Sequence, residues 1–161
     1  MATTLPAWAA LAPAAVFGLT ALALLLIDSV DPDGDSGSFV LAGTAVVGSV
    51  VSLAFTGWYL LAGTGQPRTG GQISLFGDAL VVDGMSLFLT AIVASVVLLV
   101  VLASYDYLAE HPYQAEYYTL VVLAATGMSL MASANSLAAA FVSLELSSLP
   151  SYALVASLKQ N

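Results

Sequence analysis

Apolar residues fill five runs of this chain, roughly residues 7–27, 39–61, 84–104, 117–134 and 137–158, with polar, Gly- and Pro-bearing segments between them. Each run is long enough, or nearly so, to cross a bilayer as a helix, so the pattern predicts an all-α polytopic membrane protein with five transmembrane helices. The fourth run is the shortest, and it is expected to borrow from residues 133–136, where Asn135 or Ser136 can cap the fifth helix. Between the first two runs, DSVDPDGDSGS reads as an exposed loop. The second connection, residues 62–83, differs: ISLF and ALVV are separated by Gly77 and Asp78, which predicts a small hairpin on the membrane surface. Asp83, just ahead of the third run, is placed to accept from the free amides of that helix. The third connection, DYLAEHPYQAEYY, carries four tyrosines, a residue that suits the interfacial aromatic belt.

Small residues add a packing signal. Gly48, Ser52 and Thr56 in the second run, and Ala125, Ser129 and Ser133 in the fourth, recur every four residues and are expected to form close helix contacts.

Composition agrees with the pattern. The chain is 60% hydrophobic and 7% charged, with a mean hydropathy of +0.97, and so lacks the polar surface of a soluble domain. Two basic residues against ten acidic ones leave a net charge of -8, which argues against nucleic acid and anionic lipid as partners. Acidic loops with almost no lysine also match a halophile's surface. The two cations, Arg68 and Lys159, fall on opposite sides of a five-span protein, so the positive-inside count gives no orientation. With no cysteine, this chain supplies no thiolate to a metal or an iron-sulfur cluster. The start MATTLP has no basic n-region and leads into a long apolar run, so it is expected to be an uncleaved first span.

Against this background Glu145 stands out, as the acidic residue inside the run LAAAFVSLELSSLPSYALVASL. If Leu137 starts the span, Glu145 lies about 12 Å into a hydrocarbon core about 30 Å thick. A charge near the bilayer centre costs about 2.5 to 3.5 kcal/mol on insertion scales, which makes such a residue a functional candidate by default. Ser148 and Tyr152 follow three and seven residues later and share its face. Pro150 lacks an N–H, which deprives the Leu146 carbonyl of its usual partner, and a carboxyl beside a loosened turn can hold water and pass a proton. The competing reading of Glu145 is a residue that only hydrogen-bonds a neighbouring helix. Elsewhere, Asp31, Asp33 and Asp35 imitate the start of a calcium loop. Ser36 and Ala42 stand where that loop needs its glycine and its bidentate glutamate, so a solvated acidic loop is expected. His111, with Glu110 and Glu116 nearby, reads as a surface histidine, and no metal site is expected.

From about Asp83 onward, VVDGMSLF, SYDYL, EYYTLVVLAATGMSLMASANSL and FVSLELSSLPSYALVA together resemble subunit N of the proton-pumping NADH:quinone oxidoreductase, respiratory complex I. The resemblance implies an antiporter-like membrane subunit, with residues 1–116 as three leading helices plus the hairpin and residues 117–161 as the start of the proton-translocating core. It assigns Glu145 to a proton half-channel, with Ser148, Pro150 and Tyr152 in support. It implies no cofactor on this chain: quinone, iron-sulfur clusters and, where NADH is the donor, NADH belong to partner subunits. The expected partners are the other membrane subunits and the bilayer, with quinone reached indirectly, in a multi-pass protein of a prokaryotic cell membrane. Family members continue for many more helices and carry a lysine two helices on, so the chain is expected to be a fragment, a split subunit or a truncated reading frame. Subunits of multi-subunit Na+/H+ antiporters and membrane-bound hydrogenases share the same run, and a structural helical scaffold is the third reading.

Overall fold

The computed structural model describes residues 6–30, 37–64, 71–108 and 114–158. A 3-10 helix, Ala7–Leu11, runs into α1 (Ala12–Val30); then come α2 (Gly37–Leu61), the strands β1 (Ile73–Leu75) and β2 (Leu80–Val82), α3 (Gly84–Leu108), α4 (Gln114–Ala132) and α5 (Leu137–Leu158). Among the described residues, five helices are long and apolar enough to cross a membrane, so the all-α polytopic expectation holds. Asp31, Asp33, Asp35, Arg68, Glu110, His111 and Lys159, which figured in the sequence reading, lie outside the described residues.

Helix ends depart from the apolar runs. α1 continues to Val30 and α3 to Leu108, so their last turns carry Asp28 and Asp106, both exposed; backbone hydrogen bonding continues into turns whose side chains are polar. The fourth helix does not borrow from residues 133–136. It gains length at its other end, starting at Gln114, while the chain turns at Ser133. The described loop tyrosines fall in different surroundings. Tyr107 is 72% exposed, but Tyr118 is fully buried, and the Tyr117 hydroxyl lies 2.9 Å from Ser104 Oγ.

Helices α1 to α4 form a closed bundle in which each packs on the next and α1 also packs on α4, while α5 lies outside against α4. The bundle core joins Phe17, Ala21 and Leu24 of α1 to Ala45 of α2, Val97 and Val101 of α3, and Tyr118 and Val122 of α4. Small residues set the spacing, as their four-residue recurrence required. Gly48, Ser52, Thr56, Ala125, Ser129 and Ser133 are all buried. A Cβ on Gly48 would overlap the Thr20 side chain of α1. One on Gly127 would lie 2.5 Å from the Ser147 amide nitrogen and 2.7 Å from the Leu146 carbonyl carbon of α5.

Pro13 explains the irregular start of α1. Without an N–H it cannot donate to the Ala9 carbonyl four residues back. That carbonyl accepts instead from the Ala12 amide and, at 2.7 Å, from the Tyr59 hydroxyl of α2. Two turns lower on the same face of α2, Ser52 Oγ donates to the Pro13 carbonyl at 2.9 Å. Interhelical bonds of this kind average about 0.6 kcal/mol in a bilayer, so they fix register more than they hold the helices together.

The hairpin forms as the sequence predicted, pairing Ile73 with Val82 and Leu75 with Leu80. Its turn is tight: Phe76, Gly77 and Asp78 have φ of 54°, 64° and 65°, a run of left-handed residues of which only the glycine adopts that region freely. It packs on one end of the bundle. Leu75 and Val82 are buried in a second core with Ala10, Tyr59 and Leu87. Asp83 caps α3 as expected: its Oδ1 accepts from the Ser86 amide at 2.7 Å, and Ser86 Oγ accepts from the Asp83 amide at 2.9 Å. The other edge of the hairpin binds the α4–α5 turn. The Val81 amide donates to the Ser133 carbonyl at 2.7 Å, the Asn135 amide donates to the Ala79 carbonyl at 2.9 Å, and Asn135 Nδ2 donates to the Asp78 carbonyl at 2.9 Å.

Two glycine substitutions separate the kinds of close contact. Gly48→Ala is expected to destabilise the fold by about 1–3 kcal/mol, and Thr20→Ala to recover part of the loss, because the obstruction is a side chain. Gly127→Ala is expected to cost at least as much, with no single side-chain truncation on α5 recovering it, because backbone atoms stand in the way. Reversible SDS unfolding of the four variants measures both; recovery of Gly127→Ala by Ser147→Ala would contradict the second expectation.

Candidate functional site

The start of α5 is set by Ser136, whose Oγ accepts from the Ala139 amide at 3.1 Å. Of the two candidate caps it is therefore Ser136 that serves, leaving Asn135 free to bind the hairpin. From there α5 continues unbroken through Pro150 to Leu158.

The face of α5 that meets α4 is marked by the close approach of Gly127 to the backbone at Ser143, Leu146 and Ser147. Ser143 and Pro150 are buried on this side. Ser143, Ser147 and Ser151 recur every four residues, and two of them turn their hydroxyls onto their own helix: Ser147 Oγ donates to the Leu144 carbonyl at 2.9 Å and Ser151 Oγ to the Ser147 carbonyl at 2.8 Å. Satisfied this way, the hydroxyls can face a neighbouring helix at no cost in unpaired polar groups.

Glu145 follows Ser143 by two residues, about 200° around the helix, so it projects away from α4. It is half-buried, as is Ser148 one turn on, while Tyr152 is 71% exposed. Spacing put these three on one face, and α5 is helical throughout, so that part of the reading stands. The structure does not bring Pro150 to them. Five residues beyond Glu145, it lies about 140° around the helix, on the α4 side. The Glu145 face is otherwise apolar and uncovered among the described residues: Phe141 is 62% exposed and Leu149 59%. Eight residues below Leu137, the carboxyl sits about 12 Å into its helix, whereas Asp28, Asp106 and Glu116 are exposed in terminal turns. No cation stands beside it among the described residues, since Arg68, His111 and Lys159 all fall outside them. Nor is there, among those residues, a group of three or more His, Asp or Glu that could hold a metal ion.

Three features escaped the sequence reading. The serine stripe at 143, 147 and 151 carries the same four-residue signal as those of α2 and α4, but the pull of Glu145 on the other face hid it. The tie from Asn135 to the hairpin has no local signal, because its partners are 56 and 57 residues away in the chain. The buried hydroxyls of Tyr118 and Ser129, which have no partner in the structure, both lie on the inner face of α4.

No family model matches the chain. Individual proteins do. Over 157 residues, 91% of this chain and 30% of the relative, it is 33% identical to NADH-quinone oxidoreductase subunit N 2 of Solibacter usitatus. Over 147 residues, again 91% of this chain and 28% of the relative, it is 35% identical to NADH-quinone oxidoreductase subunit N of Maricaulis maris. A shorter stretch of 90 residues, 56% of the chain and 18% of the relative, is 39% identical to F(420)H(2) dehydrogenase subunit N of Methanosarcina mazei. The chain thus spans about three-tenths of the length of the relatives that match most of it. With five helices among its described residues long and apolar enough to cross a membrane, and this likeness along nine-tenths of its length, the chain fits part of an NADH-quinone oxidoreductase subunit N.

Proposed function

We propose that this chain is part of a proton-translocating membrane subunit of a quinone oxidoreductase complex, and that Glu145 is the group that takes up and releases the proton. The observation that carries this reading is the placement of a carboxyl about 12 Å into a membrane-spanning helix, turned away from the helix that α5 packs on. A residue that served only to fasten α5 to α4 would face α4, as Ser143 does.

In this reading the Glu145 carboxylate takes up one proton to become the neutral acid and returns it to become the carboxylate again, and Ser148, one turn along the same face, relays through its hydroxyl. Tyr152 extends the path toward the far end of α5. Pro150 acts from the other side of the helix, by loosening the turn at Leu146. Residues 117–161 begin the translocating core and residues 1–116, with the hairpin, brace it. Quinone, iron-sulfur clusters and the electron donor belong to partner subunits, in a prokaryotic plasma membrane. The names of the relatives include both an NADH-quinone oxidoreductase and an F(420)H(2) dehydrogenase, so the donor is set by the partners.

Glu145→Gln in the assembled complex keeps the side chain's shape and removes its proton. Quinone-coupled acidification in vesicles is expected to fall by about a hundredfold or more, the lower range for loss of a proton-transferring group, at normal complex abundance. Glu145→Asp is expected to retain part of the activity. Pumping that survives Glu145→Gln undiminished would reduce Glu145 to a packing residue.

A further inference from the structure

α5 is held from one side. Its helix contacts are chiefly with α4, and they pass through a point of near backbone contact at Gly127. The two helices pack along one another and come closest at Gly127, so α4 sets their separation, and the second restraint on α5 is the turn at its start. The Ser133–Ser136 segment is bound by three hydrogen bonds of 2.7–2.9 Å to the edge and tip of the hairpin, and the bridge between Leu80 and Ala134 makes this a short antiparallel pairing. The hairpin in turn is buried with residues of the first three helices and runs into the Asp83 cap of α3. α5 is thus braced against α1 to α3 through the hairpin.

Two details single out Asn135 within this brace. It makes two of the three bonds, one from its backbone amide and one from its side-chain Nδ2. The side-chain bond ends on the Asp78 carbonyl, and Asp78 has φ of 65°, a conformation that non-glycine residues adopt at a cost and keep where their surroundings enforce it. No such requirement comes from capping, because Ser136 performs that role.

We propose that Asn135 is a positioning residue, which by tying the α4–α5 turn to the hairpin fixes the roll and depth of α5 and so the place of the Glu145 carboxyl. The inference rests on the reading of Glu145 as the proton-carrying group, but its test does not. From Asn135 to Glu145 is about 15 Å along α5, close enough for a small rotation at the start of the helix to be carried to the carboxyl by the rigid backbone between them.

The test uses the assembled complex and a hydrophobic carbodiimide, which modifies membrane-embedded carboxyls, with the rate at Glu145 read by mass spectrometry of its peptide. Asn135→Ala is expected to change that rate severalfold, and Asn135→Gln, which restores the amide donor, to return it toward the native value. A merely structural role would lower the abundance of the complex and leave the rate in what survives unchanged. An unchanged rate in Asn135→Ala, or a change that Asn135→Gln does not reverse, would overturn the proposal. If Asn135→Ala does not assemble, Asn135→Ser, whose hydroxyl is too short to reach the Asp78 carbonyl, is judged by the same criteria. Pumping by Glu145→Gln, measured in parallel, decides the functional reading separately, since the labelling of Glu145 reports where the carboxyl is and not what it does.

Discussion

Helices in a bilayer gain nothing from hiding apolar surface from one another, since lipid is as apolar as leucine, so they associate only where their backbones come close. Two glycines provide that approach. Gly48 lets α2 rest against Thr20 of α1, and Gly127 lets α4 touch the backbone of α5 at Ser143, Leu146 and Ser147. The rest of the arrangement depends on these contacts. The buried hydroxyls of α2 and α4 are tolerable because most are satisfied by carbonyls of their own helix or of the helix brought near, as Thr56 is by Ser52 and Ser52 by Pro13.

The same constraint explains the two-part interior. Midway along the helices, the core is built of alanine, valine, leucine and two large rings, Phe17 and Tyr118, that fill the space between four helices. At the hairpin end the helices cannot close on themselves, because α1 starts with a 3-10 turn and α2 with α3 must be connected. Leu75 and Val82 fill that end. A hairpin of three-residue strands is marginal alone; here the bundle beneath and the α4–α5 turn beside it supply the burial and pairing that it lacks.

α5 stands apart in this scheme. Only 11% of its most apolar stretch is buried, against 50% for α4, and the uncovered side carries Glu145. The placement of this carboxyl on an otherwise apolar outer face follows from the rotation at which α5 packs on Gly127 as much as from the identity of the residue.

Much of this was legible in order along the chain. Five apolar runs determined five spans, because hydrocarbon thickness requires that length; the four-residue recurrence of small side chains marked the packing faces of α2 and α4; and Asp83, Gly77 and Asp78 marked a cap and a turn, since these depend on neighbours within a few residues. The depth of Glu145, and the face it shares with Ser148 and Tyr152, followed from helical geometry alone. What tertiary structure decided were the relations between distant segments. That face points away from α4 while Pro150 points toward it, the hairpin plugs the bundle end, and Asn135 binds the hairpin, leaving the cap to Ser136. Each depends on which helices meet and at what rotation, and that is set by contacts such as Gly127 with Ser147, between positions whose local sequence says only that they are small.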